Sequence, residues 1–120
     1  MTIDEIEKAI AAHASWKIRL LGAIKDGKLD VPPATVKMDN QCAFGKWLYA
    51  STIPPAIINS AHYKKVKEHH AEFHKAAARV AELAVAGKKK EAEQLMRAGG
   101  EYTLVSSKLT MAMLEWKNSL

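Results

Sequence analysis

Three features of the 120-residue chain predict an all-α fold, an antiparallel four-helix bundle with short additional helices between the first and third long helices. Long segments repeat apolar residues at spacings of three and four, no segment sustains the alternation of a strand, and Gly and Pro pairs punctuate the chain between the periodic runs. No internal repeat or low-complexity linker divides it, and a chain of this length buries one core, so residues 1–120 are expected to form a single domain.

The first helix is expected from about Thr2 to Asp26, with Ile6, Ile10, His13, Trp16, Leu20 and Ile24 on one face and Thr2 followed by Glu5 as a capping box. Asp26 and Gly27 end it, and Leu29 to Thr35, interrupted by Pro32 and Pro33, reads as a connecting loop. A short second helix carries Ala43, Phe44, Trp47, Leu48 and Tyr49, with Asp39 or Asn40 as its cap and Cys42 at its start. Pro54 and Pro55 break the chain again and leave room for one turn to Asn59.

The third long helix is expected from about Ser60 to Ala86, closed by Gly87, with Tyr63, Val66, Phe73, Ala77, Val80 and Ala84 facing inward. A final helix from about Lys89 to Asn118 places Ala92, Leu95, Gly99, Tyr102, Ser106, Leu109, Met113 and Trp116 on one stripe. Its weak point is Gly99–Gly100, which costs a helix about 2 kcal/mol relative to alanine, and a break into two helices there is the alternative.

The composition, 48% hydrophobic and 26% charged, is that of a packed soluble domain. No long apolar run suits a membrane, and Asp4, Glu5, Glu7 and Lys8 stand where a signal peptide needs apolar residues, so a cytoplasmic location is expected. The single cysteine excludes an internal disulfide. The net charge of +5 raises the question of a polyanion, but the lysines are spread along the chain and no aromatic residues interleave with Lys88 to Lys90. The charge reads as solvated helix faces, with no nucleic-acid partner.

His70 and His74 stand four apart within a helical pattern, so their imidazoles lie one above the other and can reach one ion. His13 is the inward histidine of the first helix, and an imidazole buried among isoleucines needs partners for both nitrogens. With Cys42 these make one thiolate and three imidazoles, a donor set that suits tetrahedral zinc. Trp16, Phe44 and Trp47 are expected to wall the site against water, and Asp39 is placed to accept from a ligand imidazole if it does not cap the helix. His62 and His69 lie off this face and are assigned to solvent.

Enzyme chemistry finds no support. Ala71 follows His70 where a zincin needs Glu, and no phosphate loop, nucleophile elbow or haem-attachment motif occurs. A di-iron bundle would need Glu-x-x-His pairs on two helices, and no such pair points inward.

AAHASWKIRL, DNQCAFGKWLY and HYKKVKEHHAEFH together resemble the successive motifs of the chemoreceptor zinc-binding (CZB) domain, from about Ile6 to beyond Val80, with a weaker echo in GGEYTLVSSKL. The resemblance implies a bacterial cytoplasmic regulatory four-helix bundle that holds zinc through His13, Cys42, His70 and His74. It further implies sensing of zinc or of hypochlorous acid in chemotaxis or cyclic-di-GMP signalling, with a chemoreceptor or other signalling partner. No output domain fits in 120 residues, so the chain reads as a free-standing member or an excised piece. Family members associate as dimers, and Met111, Met113, Leu114 and Trp116 are candidates for such a contact or for the core. The expectation for Cys42 is a latch whose loss from the ion frees the helix carrying Phe44, Trp47 and Leu48. A structural zinc bundle for dimerisation or docking is the alternative function.

Overall fold

The computed structural model describes residues 2–120, and among these the chain is wholly helical, with no strand. Helix α1 is Ile3–Asp26, α2 Pro33–Val36, α3 Ala43–Leu48, α4 Pro55–Ile58, α5 Ala61–Val85, α6 Lys89–Met96 and α7 Glu101–Ser119. No helix among the described residues is long and apolar enough to cross a membrane.

Local chemistry sets most of these limits. The Thr2 hydroxyl accepts the Glu5 N–H at 3.1 Å while the Glu5 carboxylate accepts the Thr2 N–H at 3.2 Å, so the expected capping box forms at the start of α1. Gly27 ends the helix in the left-handed region, at φ 73°, with its N–H on the Ala23 carbonyl. Ser60 caps α5 by accepting the Tyr63 N–H at 3.2 Å. The expected turn after Pro54 is α4, and Leu29 to Thr35 is not wholly a loop. Pro33 sits in the first turn of α2, where a missing N–H costs nothing and the fixed φ suits a helix.

The continuous final helix expected from Lys89 to Asn118 is corrected by the structure to α6 and α7. Gly99 turns the chain at φ 81°, and Gly100 lies so close to the end of α6 that a Cβ there would stand 2.5 Å from the carbonyl oxygens of Gln94 and Leu95. Of the expected inward stripe, Ala92, Tyr102, Leu109, Met113 and Trp116 are buried, Leu95 and Ser106 are half-buried, and Gly99, at the break, is exposed.

Ion pairs mark the directions of the long helices. Lys65 pairs with Glu115 at 3.0 Å and Arg79 with Glu101, so α7 runs against α5. Lys117 pairs with Glu7 at 3.0 Å, so α7 also runs against α1. Helix α5 packs against α1, α2, α4, α6 and α7. Small residues on more than one side of it, Ala76, Ala77, Ala78, Ala81 and Ala84, are all buried and let neighbouring backbones approach. Larger side chains fill the space between, with Ile6 and Leu20 from α1, Val66, Phe73 and Val80 from α5, and Leu109 and Met113 from α7. Each such side chain contributes about 1.5–3 kcal/mol by leaving water.

Two glycines give opposite expectations. Gly22 lies inside α1, and a Cβ there would meet nothing within 4 Å, so substitution by alanine is expected to gain about 1 kcal/mol. Gly100→Ala drives a methyl into two carbonyls and is expected to lose about 2 kcal/mol. Urea midpoints of the two variants check both signs, and a neutral Gly100→Ala would refute the close approach of α6 and α7.

Candidate metal centre

Three helix positions and one helix start bring four donors together. His13 on α1, His70 and His74 on α5 and Cys42 immediately before α3 each offer one atom, and these atoms all lie within 4.8 Å of one another. His13 is 5% exposed, His70 0% and His74 3%, while Cys42 keeps partial exposure. The His70 Nε2 lies 2.9 Å from that of His13 and 3.1 Å from that of His74. The Cys42 Sγ lies 3.4 Å from the Nε2 of His70, 3.7 Å from that of His74 and 3.9 Å from that of His13.

Backbone carbonyls fix two of the imidazoles. His13 Nδ1 donates to the Ala9 carbonyl at 2.8 Å, one turn back on its own helix, and His74 Nδ1 donates to the Val36 carbonyl at 2.9 Å, at the end of α2. A carbonyl oxygen only accepts, so both Nδ1 atoms carry the proton and both Nε2 atoms present bare lone pairs to the centre. His70 can place one proton between them at most, and its own Nδ1 is buried without a partner. Converging lone pairs in a buried site are stabilised by a cation.

The dimensions suit zinc. Bonds of about 2.0–2.1 Å to nitrogen and 2.3 Å to sulfur make tetrahedral edges of about 3.3 Å between nitrogens and about 3.6 Å between nitrogen and sulfur. The nitrogen spacings to His70, 2.9 and 3.1 Å, fall slightly short of that edge, and the sulfur spacings of 3.4, 3.7 and 3.9 Å bracket theirs.

The electrostatics act in the same direction. Burial pushes His13 down to about 4, against the upward pull of the Ala9 carbonyl. Burial, with His13 and His74 beside it, pushes His70 down to about 2, and burial lowers His74 despite its bond to Val36. All three imidazoles are neutral at neutral pH, the form that can bind a metal. Burial raises the Cys42 thiol, opposed by the backbone N–H groups at the start of α3.

Cys42, not Asp39 or Asn40, caps α3, with its sulfur accepting the Gly45 N–H at 3.2 Å. One atom therefore faces the imidazoles and begins the helix. The Asp39 carboxylate accepts from the Tyr49 hydroxyl at 2.5 Å, which holds that phenol up to about 12, and makes no bond to an imidazole. Phe44 stands edge-on to His70, with ring centroids 5.2 Å apart, and 5.9 Å from His13. Trp47 lies farther out, stacked on Phe44 and packed against Trp116, and Trp16 is half-buried beside Cys42. His62 and His69 are half-buried rather than solvated, and His69 lies 3.8 Å from Glu72, away from the centre.

The chemoreceptor zinc-binding domain family matches residues 13–81, which is more than half of the chain and encloses all four donors. The chain belongs to this family. No curated protein and no solved structure gives a significant match. Family and donor set agree on zinc as the cofactor of this CZB domain.

Sequence reasoning missed three groups of the site. The Val36 and Ala9 carbonyls are backbone atoms with no residue signature. Gly45 had one, a glycine inside a short helix. A Cβ there would lie 1.8 Å from the Asp39 carbonyl oxygen, so only glycine lets residues 39–42 fold over the start of α3 and aim Cys42 inward.

Gly45→Ala is accordingly expected to weaken zinc affinity by about tenfold or more, as displaced supporting groups do, in a competition titration with a chromogenic chelator. The imidazoles predict acid sensitivity of the metal-free chain. Their folded pKa values lie below the ordinary 6.5, so the stability they confer is present above about pH 6.5 and is lost as pH falls toward about 4, where His13 takes a proton. Denaturant midpoints should fall between about pH 7 and about pH 5, above the range where carboxylates titrate, and a flat profile there would contradict the burial of neutral imidazoles.

Proposed function

We propose that the chain is a bacterial cytoplasmic zinc-binding sensory domain, and that His13, Cys42, His70 and His74 are its zinc ligands. The observation that carries this reading is the meeting of two bare Nε2 atoms, a third imidazole and a thiol, all within 4.8 Å of one another. Zinc, when bound there, holds Cys42 as a thiolate.

The thiolate is the chemically exposed member of the set, since Cys42 is half-buried while the three imidazoles are buried. A two-electron oxidant such as hypochlorous acid transfers oxygen to the sulfur and leaves as chloride, and the sulfenic acid is a poor ligand. Loss of the Cys42 bond then releases the start of α3, and the altered surface is read by a chemoreceptor or a cyclic-di-GMP signalling partner. Occupancy by zinc itself is a second input to the same switch. This reading assigns the centre no catalytic step.

The whole chain acts as one domain in this reading. It is a four-helix-type bundle in which α1, α5 and α7 are three walls and the run of short helices from α2 to α4 is the fourth. The exposed Met111 and Leu114 on α7 support a homodimer contact, whereas the buried Met113 and Trp116 belong to the core. A structural zinc bundle without sensing is the alternative, and exchange separates the two, since a structural site holds its metal against chelator.

Elemental mass spectrometry of protein purified without added metal is expected to give one zinc per chain, reduced in His70→Ala and Cys42→Ser. One equivalent of hypochlorous acid is expected to release that zinc from the parent. A parent without zinc sinks the reading, and a Cys42→Ser variant that keeps full affinity and still responds to oxidant sinks the switch.

A further inference from the structure

Cys42 lies where two clefts meet. One, of about 360 Å³, opens between α1 and α3 and is lined by Ala9, His13, Phe44 and Trp47. The other, of about 330 Å³, opens toward α2 and is lined by Thr35, Met38, Gln41 and His74. Ala12, Trp16 and Cys42 line both, so the indole of Trp16 is the one large side chain standing between them. His70 lines neither, and a molecule approaching the four donors from solvent passes Trp16 on one side or the other.

The indole is held from outside. The guanidinium of Arg19 lies 3.9 Å from the centre of the Trp16 ring, and its Nη2 donates to the Asp30 carboxylate at 3.1 Å. Trp16 and Arg19 are three apart on α1, which places them on one face, and Asp30 comes from the turn after that helix. A planar cation stacked on an indole and anchored at its far edge restricts the ring to one position. Asp30 lines neither cleft and its side chain is 74% exposed, so it touches Cys42 only through this chain of contacts.

We propose that Trp16, clamped by Arg19 and Asp30, is a gate that sets which molecules reach Cys42 and how fast. With the clamp closed the two clefts stay separate, and bulky reactants reach the sulfur more slowly than small ones. With Arg19 released the indole swings away and the clefts merge over Cys42. For zinc exchange the inference rests on the four-ligand reading above, whereas for the reactivity of the thiol it stands without it.

The test uses the full chain, metal-free, and two neutral thiol reagents, the small methyl methanethiosulfonate and the bulky aromatic 4,4′-dithiodipyridine. Asp30→Asn and Arg19→Met are expected to speed modification by the bulky reagent about three- to tenfold, as loss of a stacked, anchored cation allows, and by the small one less than about twofold. Arg19→Lys, which keeps the charge and loses the planar fork, is expected to follow Arg19→Met. In zinc-loaded protein, transfer of zinc to a chelator should accelerate in the same order. Unchanged rates with the bulky reagent in both variants, or equal acceleration with both reagents, overturns the gate. Failure to load zinc removes the transfer measurement alone and leaves the thiol measurement to decide.

Discussion

The structure depends on lone pairs that have nowhere else to go. A buried imidazole is tolerable when each nitrogen has a partner, and for His13 and His74 the carbonyls of Ala9 and Val36 settle one nitrogen and thereby commit the other. The committed nitrogens converge on His70, in a space flanked by Phe44 and Phe73. A single divalent ion satisfies the whole set. The donors come from both long helices of the core, so an ion held by them would tie α1 to α5 beside α2 and the start of α3.

Much of this was legible in the chain, and the part that was not has a common cause. Helical period, caps and breakers placed α1 and α5 within a residue of their limits, because Thr2, Gly27, Ser60 and Gly87 act on their immediate neighbours. The spacing of His70 and His74 and the inward position of His13 selected three of the donors by the same local logic. What local logic does not reach is contact between distant backbone and side chain. Val36 as the acceptor for His74, Gly45 under the Asp39 carbonyl and the packing of Gly100 on α6 are set by tertiary approach, and each involves a backbone atom.

The break between α6 and α7 shows the same limit from the other side. Ala92, Tyr102, Leu109, Met113 and Trp116 keep an inward stripe across the interruption, so periodicity alone favoured one helix. Propensity pointed to a break, and propensity prevailed because the turn at Gly99 permits a contact that a straight helix forbids. Gly100 then seats against the last carbonyls of α6 and directs α7 along α5, where Arg79 meets Glu101 and Lys65 meets Glu115.

Helix α3 is the element through which the proposed switch would turn chemistry at the centre into a change of shape. Six residues are too few for a helix to hold itself together in water, so its place is set by its anchors. At one end Cys42 supplies both a donor to the centre and the cap of the helix, and Phe44 leans on His13 and His70. At the other, Trp47 packs against Tyr63 and Trp116, and the Leu48 carbonyl accepts the Tyr63 hydroxyl. Loss of the sulfur as a donor removes the first anchor and leaves the second, because the aromatic contacts do not involve the centre. In the proposed switch the consequence is a pivot about Trp47 rather than detachment of the helix. A pivot of that kind exposes Phe44 and the face of His70 beneath it while the rest of the core stays packed.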